Sequence, residues 1–223
     1  MLIAEDLLLL LLDDDSGTKQ TSWMRPALGG ALLVELALGG NVVMGEKRWW
    51  RAGRVMAVLE APAPVDPLLA QALATVASKP RNAQELVNRL GKGVEKQLAQ
   101  RLVDRGLLER RESRVLGLFP RTRWPARDVT HEQQVRRSLS AALVEGQQPD
   151  QRTAAVIALL SALDRAHKTV DRGDLKARDV RRRAKEIADG DWAAKAVKDA
   201  IRAAMAATTA ATAGGAAATA SSS

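Results

Sequence analysis

The stretch that most constrains this fold runs from Val94 to Trp124, VEKQLAQRLVDRGLLERRESRVLGLFPRTRW. It opens with apolar residues at helical spacing: Val94, Leu98 and Leu102, with Ala99 and Val103 beside them, make one apolar face. Gly106 then supplies a left-handed stop at little steric cost. Beyond it, Leu107–Arg110 and Val115–Phe119 read as two strands paired across Arg111–Arg114. Between Arg101 and Arg127 stand eight arginines against three acids, Asp104, Glu109 and Glu112. The hairpin therefore carries an excess of positive charge, interleaved with Val115, Leu116, Leu118, Phe119 and Trp124. Such density calls for an anionic partner, either a membrane surface or a nucleic acid.

The rest of the chain bounds what the hairpin can be attached to. With 223 residues there is enough sequence for one large domain or two small ones around a real core. One Phe and no Tyr leave that core to aliphatic residues and alanine. The absence of cysteine excludes disulfides, thiolate nucleophiles and zinc–thiolate sites. A formal net charge of +8 again favours polyanions. The opening MLIAEDLLLLLLDDD is neither a signal peptide nor a membrane span. Its leucine run is too short and is bracketed by Glu5, Asp6 and Asp13–Asp15. A short buried helix fits it better, with Glu5 and Asp6 in a first turn where the helix dipole favours acids. The expected compartment is the cytoplasm.

Further along, Pro26 suits a first helical turn, and Leu28, Leu32, Leu33 and Leu36 form a stripe that Gly39–Gly40 end. Glu35 lies within that apolar run and reads as a paired structural charge. Asn41–Met44 and Arg54–Leu59 resemble a small hairpin around EKRWWRAG. There Trp49 and Trp50 sit among Lys47, Arg48 and Arg51, either as an interfacial anchor or as a pair covering a core edge. Ala61–Pro67 is a stiff connection. Helical patterns follow at Leu68–Ala77 and at Ala83–Leu90 behind the cap Asn82. Thr130 with Gln133 matches a capping box opening a helix to about Val144. Pro149–Asp150 starts another helix, whose AAVIALLSAL run is apolar on nearly every side. After Gly173 come a charged surface helix, DLKARDVRRRAKEIADG, and a last helix over Trp192–Ala207. Residues 208–223 have no period and read as a disordered tail. The expected fold is mainly α: one helical-bundle domain over residues 1–207, with a small β component and a protruding β-hairpin.

The sequence carries no recognisable catalytic or metal motif. His131 and His167 fall on separate segments with no carboxylate at ligand spacing, and no phosphate loop, dinucleotide loop or nucleophile elbow occurs. Neither an enzyme, a cofactor nor a metal is expected.

Taken in order, several stretches resemble the Golgi phosphoprotein-three family of peripheral membrane proteins. They are EDLLLLLLDDDSG, ALLVELALGG, EAPAPVDPLLAQAL, LAQRLVDRGLLERRESRVLGLFPRTRWP and QRTAAVIALLSALDRAHK. The resemblance spans about residues 1–207. It implies a mostly helical domain that binds phosphatidylinositol 4-phosphate in a basic pocket, on the inner face of a membrane. The alanine- and arginine-rich composition is similar to that of high-GC bacterial proteins. Trp23 matches the family's pocket tryptophan, and Lys92 matches the first of two basic positions opening the helix before the hairpin. Glu95 occupies the second of these, and an acid at short range opposes a phosphate. The family's arginine ahead of ELAL falls on Gly29, with Arg25 nearby as a substitute. Headgroup binding is thus expected from Trp23, Arg25 and Lys92. Membrane contact is expected from Arg110, Arg111, Arg114, Leu116, Leu118, Phe119, Arg121 and Arg123. The hairpin is also implicated in self-association, and an adaptor role would add a protein partner.

The rival reading is DNA binding. Three helices followed by a basic hairpin is the order of a winged-helix module. Its recognition helix would begin Gly93–Val94–Glu95, which are poor residues for reading base edges.

Overall fold

The computed structural model describes residues 1–45, 54–58, 60–115 and 119–190. In chain order its elements are α1 (Ile3–Leu11), α2 (Met24–Leu38), β1 (Val42–Met44), β2 (Arg54–Ala57), α3 (Pro67–Ala77), β3 (Arg81–Asn82), α4 (Ala83–Leu90), α5 (Val94–Asp104), β4 (Arg111–Val115), β5 (Phe119–Arg123), α6 (Thr130–Leu143), α7 (Gln151–Ala162), a 3-10 turn (Ala166–Lys168) and α8 (Ala177–Asp189). The architecture is mainly α with a small β component. Trp49, Trp50 and their flanking cations lie outside the described residues, as do Leu116, Leu118, the Trp192–Ala207 segment and the tail.

Six consecutive leucines leave α1 no polar face to turn to water, and it sits at the centre of the molecule. It contacts α2, α5, α6 and α7, and every residue from Ile3 to Leu11 is buried. The helices α2 and α7 are nearly as apolar and lie against it. The surface helices bury only stripes: Val94, Leu98, Ala99 and Leu102 on α5, and Val180, Ala184 and Ile187 on α8. All of these join one continuous core.

Caps are set by short polar side chains. Asp66, Asn82 and Asp150 each accept backbone N–H bonds at the starts of α3, α4 and α7. At α6 the expected capping box does not form. Thr130 is the first helical residue, and the cap is supplied from two residues earlier, where Asp128 accepts the Thr130 N–H at 2.8 Å.

Strands β1 and β2 pair antiparallel as expected, Val43 opposite Met56. A third strand, β3, joins them with Arg81 opposite Val55. Two residues are too few to show a period, so only the fold reveals this strand. Its Arg81 is buried, with Nη1 donating to the Thr75 and Lys79 carbonyls.

The basic hairpin departs from its expected register. Residues Arg111–Arg114 form strand rather than turn, and β4 pairs with β5 as Arg111↔Arg123, Ser113↔Arg121 and Val115↔Phe119. The reason lies at its root. Leu107 and Leu108 are tied to the end of α5, and Leu108 bridges Ala126 while the Glu109 N–H donates to the Pro125 carbonyl. That register, fixed at the core, runs outward unbroken through β4 and β5, leaving 116–118 between the strand ends. Gly106 ends α5 at φ +76° as expected.

Candidate functional site

Arg25 and Lys92 come together. They line an open depression of 530 Å3 with Thr75, Glu85, Asn88 and Arg89. The Arg25 guanidinium donates twice to the Asn88 carbonyl, at 3.1 and 2.9 Å. It thereby satisfies one of the orphan acceptors at the end of α4. Glu85 is already held by Arg81 and Arg89, at 3.3 and 3.0 Å, and the Arg89 hydrogen bond lowers its carboxyl below the ordinary range. Lys92 makes no ion pair among the described residues. Trp23, half-buried, heads α2 two residues before Arg25 but does not line this depression.

Gly29 leaves no room for a side chain. It marks the crossing of α2 over α4, where a Cβ would lie 2.0 Å from the Val87 carbonyl oxygen. Gly91 is its counterpart, since a Cβ there would lie 2.0 Å from the Arg25 carbonyl oxygen. The two glycines let the helices approach and set Arg25 beside the Gly91–Lys92 turn. In this chain the basic side chain of α2 has to come from Arg25.

Glu95 does not share the depression with Lys92 either. Its carboxylate pairs instead with Lys19 at 3.2 Å. These two residues belong to a second cavity, of 310 Å3, lined by Gly17, Thr18, Lys19, Glu95, Lys96, Arg121, Thr122, Arg123 and Trp124. Directly opposed residues in an antiparallel pair share a face. The register therefore gathers Arg111, Ser113, Arg121 and Arg123 on one side of the hairpin. Arg111 is compensated by Glu109 at 3.0 Å, a bond that raises the arginine's pKa and lowers the acid's. Arg121, Arg123 and Lys96 have no ion pair among the described residues, and the Nε of Arg123 is buried without a hydrogen-bond partner.

Other hairpin residues are placed less openly. Arg110 pairs with Glu112 and lies 6.0 Å above the Trp124 ring. Trp124 itself is 8% exposed, so it is part of the core and not an exposed hairpin residue. Its N–H donates to the Gly17 carbonyl at 3.1 Å, which stitches the N-terminal loop to the hairpin root. Arg114 lies on β4 and Phe119 on β5, opposite Arg114's neighbour Val115. Lys19 and Lys96 gave no sequence signal, because their convergence on the hairpin is purely tertiary.

The structure also assembles a buried ionic cluster around α1. Glu5, fully buried, meets Arg101 at 2.9 Å and Arg105 at 3.0 Å. Asp6 meets Arg152 and His131, each at 2.7 Å. Arg152 extends to Glu35 at 3.2 Å. Burial pushes the Glu35 carboxyl up, against the pull of the Ile3 N–H and Arg152. Glu5 and Asp6 thus do more than complement a helix dipole. His131 finds its carboxylate 125 positions away in sequence, the kind of convergence that local spacing cannot show. Among the described residues no group of three or more His, Cys, Asp or Glu is placed to hold a metal ion.

No curated protein sequence matches the chain significantly. The profile of the Golgi phosphoprotein 3 (GPP34) family, however, matches residues 3–204, from the first turn of α1 to beyond α8. With nearly the whole length matched, the chain belongs to the Golgi phosphoprotein 3 (GPP34) family.

Proposed function

We propose that this protein is a peripheral membrane protein that docks on anionic lipid headgroups at the cytoplasmic, inner face of a membrane. Membership of a Golgi-membrane-associated family supports this, and by that relationship the headgroup is phosphatidylinositol 4-phosphate. Arg25 and Lys92 hold the headgroup, with Trp23 beside them. The hairpin residues Arg110, Arg111, Arg114, Leu116, Leu118, Phe119, Arg121 and Arg123 meet the bilayer. The protein acts by binding, not by catalysis, and once docked it can serve as an adaptor for a protein partner. Residues 1–207 form the binding domain, and residues 208–223 stand apart from it as a tail.

The observation that carries this reading is the set of cations without acidic partners. Lys92, Lys96, Arg121 and Arg123 make no ion pair among the described residues, in a chain where Glu5, Asp6, Glu35, Asp66 and Glu132 each hold an arginine. Charges left uncompensated at the surface are available to an external polyanion. No helix among the described residues is long and apolar enough to cross a membrane. Nucleic acid is the weaker partner, because the exposed positions Lys96, Gln97, Gln100 and Asp104 of α5 carry no net charge. The basic hairpin also forms a sheet separate from that of β3.

Co-sedimentation with anionic and neutral vesicles at rising salt tests the proposal. Each Lys or Arg near an anionic surface adds on the order of 1 kcal/mol, screened by salt. Pelleting should therefore require anionic lipid and fall with ionic strength. Reversing Arg111, Arg114, Arg121 and Arg123 to Glu should abolish it while leaving the melting temperature unchanged. Equal pelleting with neutral vesicles would overturn the reading.

A further inference from the structure

Ser113 lies at the middle of β4, exposed, and the hairpin sets it among arginines. In the register it stands directly opposite Arg121, and strand alternation puts Arg111 and Arg123 on the same face, one step toward the root. Glu109 compensates Arg111, so three arginines less one acid leave that face with an excess of two positive charges. Glu112 adds nothing to this balance, because it pairs with Arg110 on the other face. The Ser113 hydroxyl is nearly free. Its one hydrogen bond among the described residues runs to the Arg121 carbonyl at 3.4 Å, longer than a strong O–H···O bond. Strand β4 has only β5 as a neighbour, so its outer edge is open to an enzyme that binds extended chain. Arg110 and Arg111 stand three and two residues before the serine, where an acidic substrate cleft can read them. Their exposed pairs with Glu112 and Glu109 are weak surface contacts and are easily given up.

From this placement we propose that Ser113 is a phosphorylation site, and that its phosphate switches off the hairpin's attraction to an anionic surface. The modifying enzyme is an arginine-directed serine kinase that uses a nucleoside triphosphate. The Ser113 Oγ attacks the γ-phosphorus, the bond from that phosphorus to the β,γ-bridging oxygen breaks, and the nucleoside diphosphate leaves. The hydroxyl proton passes to the kinase's general base. A phosphoserine carries about two negative charges near neutral pH, which cancels the excess on this face. Its oxygens stand opposite Arg121, with Arg111 and Arg123 alongside, so guanidiniums that would meet lipid are occupied from within. The strand stays folded and only its charge is lost. The proposal deepens the membrane reading above and rests on it.

Full-length chain carrying phosphoserine at position 113, installed during translation, tests the switch on vesicles of phosphatidylglycerol and phosphatidylcholine. One charge near an anionic surface changes binding about fivefold, so two should weaken pelleting about thirtyfold. The melting temperature should be no lower than that of the unmodified chain, which separates lost charge from a lost strand. Phosphoserine at the exposed Ser138, on α6 and not on the hairpin, changes the net charge equally. It should weaken pelleting by less than about threefold, because screening confines the effect to nearby charges. A second arm incubates the folded chain with the catalytic subunit of an arginine-directed serine kinase and adenosine triphosphate. Mass spectrometry should find phosphate on Ser113, and kinase treatment should reduce pelleting of the parent but not of Ser113→Ala. Three results would each overturn the inference while leaving the membrane reading standing: phosphoserine-113 protein that pellets like the unmodified chain, an equal loss from Ser138, or no phosphate on Ser113 after the kinase. An unmodified chain that fails to pellet with these vesicles would sink both.

Discussion

Arg101, Arg105 and Arg152 lie over α1 with a carboxylate on every guanidinium, whereas Arg121 and Arg123, at the root of the hairpin, have none among the described residues. Residue type is the same in the two regions, and local sequence does not separate them. What differs is burial of the partner. Glu5 and Asp6 are carried inside by the leucines of α1 and cannot stay charged there without cations, so α5 and α7 supply them. The hairpin projects from the core and its register puts arginine opposite arginine, with Glu109 and Glu112 already occupied by Arg111 and Arg110. Paired arginines hold this fold together.

The sharpest way to break the comparison is Arg152→Met. It leaves buried Asp6 and half-buried Glu35 with one partner fewer each, and should destabilise by about 2–4 kcal/mol, read as the urea midpoint shift. The folded fraction should still bind anionic vesicles, because Arg152 belongs to the interior set.

A smaller effect is expected from Gly29→Arg, which places a cation at the family's arginine position. Because a Cβ there meets the Val87 carbonyl at 2.0 Å, the substitution should wedge α2 from α4 and cost roughly 1–3 kcal/mol. Vesicle binding should not improve. Improved binding with unchanged stability would mean that the α2–α4 crossing admits a side chain at position 29.

Smallest is Asp66→Asn, which removes one of the two carboxylates held by Arg101. The Arg101 hydrogen bond holds the Asp66 carboxyl below its ordinary 3.8. A lowered folded pKa contributes stability that is fully present above 3.8 and is lost as pH falls through the folded value. Asparagine keeps the cap on α3 but not the charge. The variant should lose about 1 kcal/mol at pH 7, and the gap should narrow below pH 3.8. A pH-independent deficit would assign the loss to the cap instead.

Much of the fold was legible because strong local signals agreed with the tertiary outcome. The leucine run of α1, the caps Asn82 and Asp150, the stop at Gly106 and the all-round apolar α7 each needed only their own neighbourhood. Misreadings occurred where the deciding contact was distant. Arg111–Arg114 looked like a turn because charge clusters there, yet the strand register is set by Leu108 and Ala126. Thr130 looked like a cap, but the chain enters α6 with Asp128 already bonded to its N–H.

The candidate site divides in the same way. Sequence alone determined that the chain is basic, mainly helical and equipped with an arginine hairpin, because charge and periodicity are additive along the chain. It also put Arg25 and Lys92 forward, and the structure brings them to one depression. Only the tertiary structure decided that Gly29 admits no side chain, that Trp124 is core, and that Glu95 faces Lys19 across a different cavity from Lys92. Each of these depends on which backbone passes within a few ångströms. Packing of α1, α2 and α5 settles that, and no spacing along the chain encodes it.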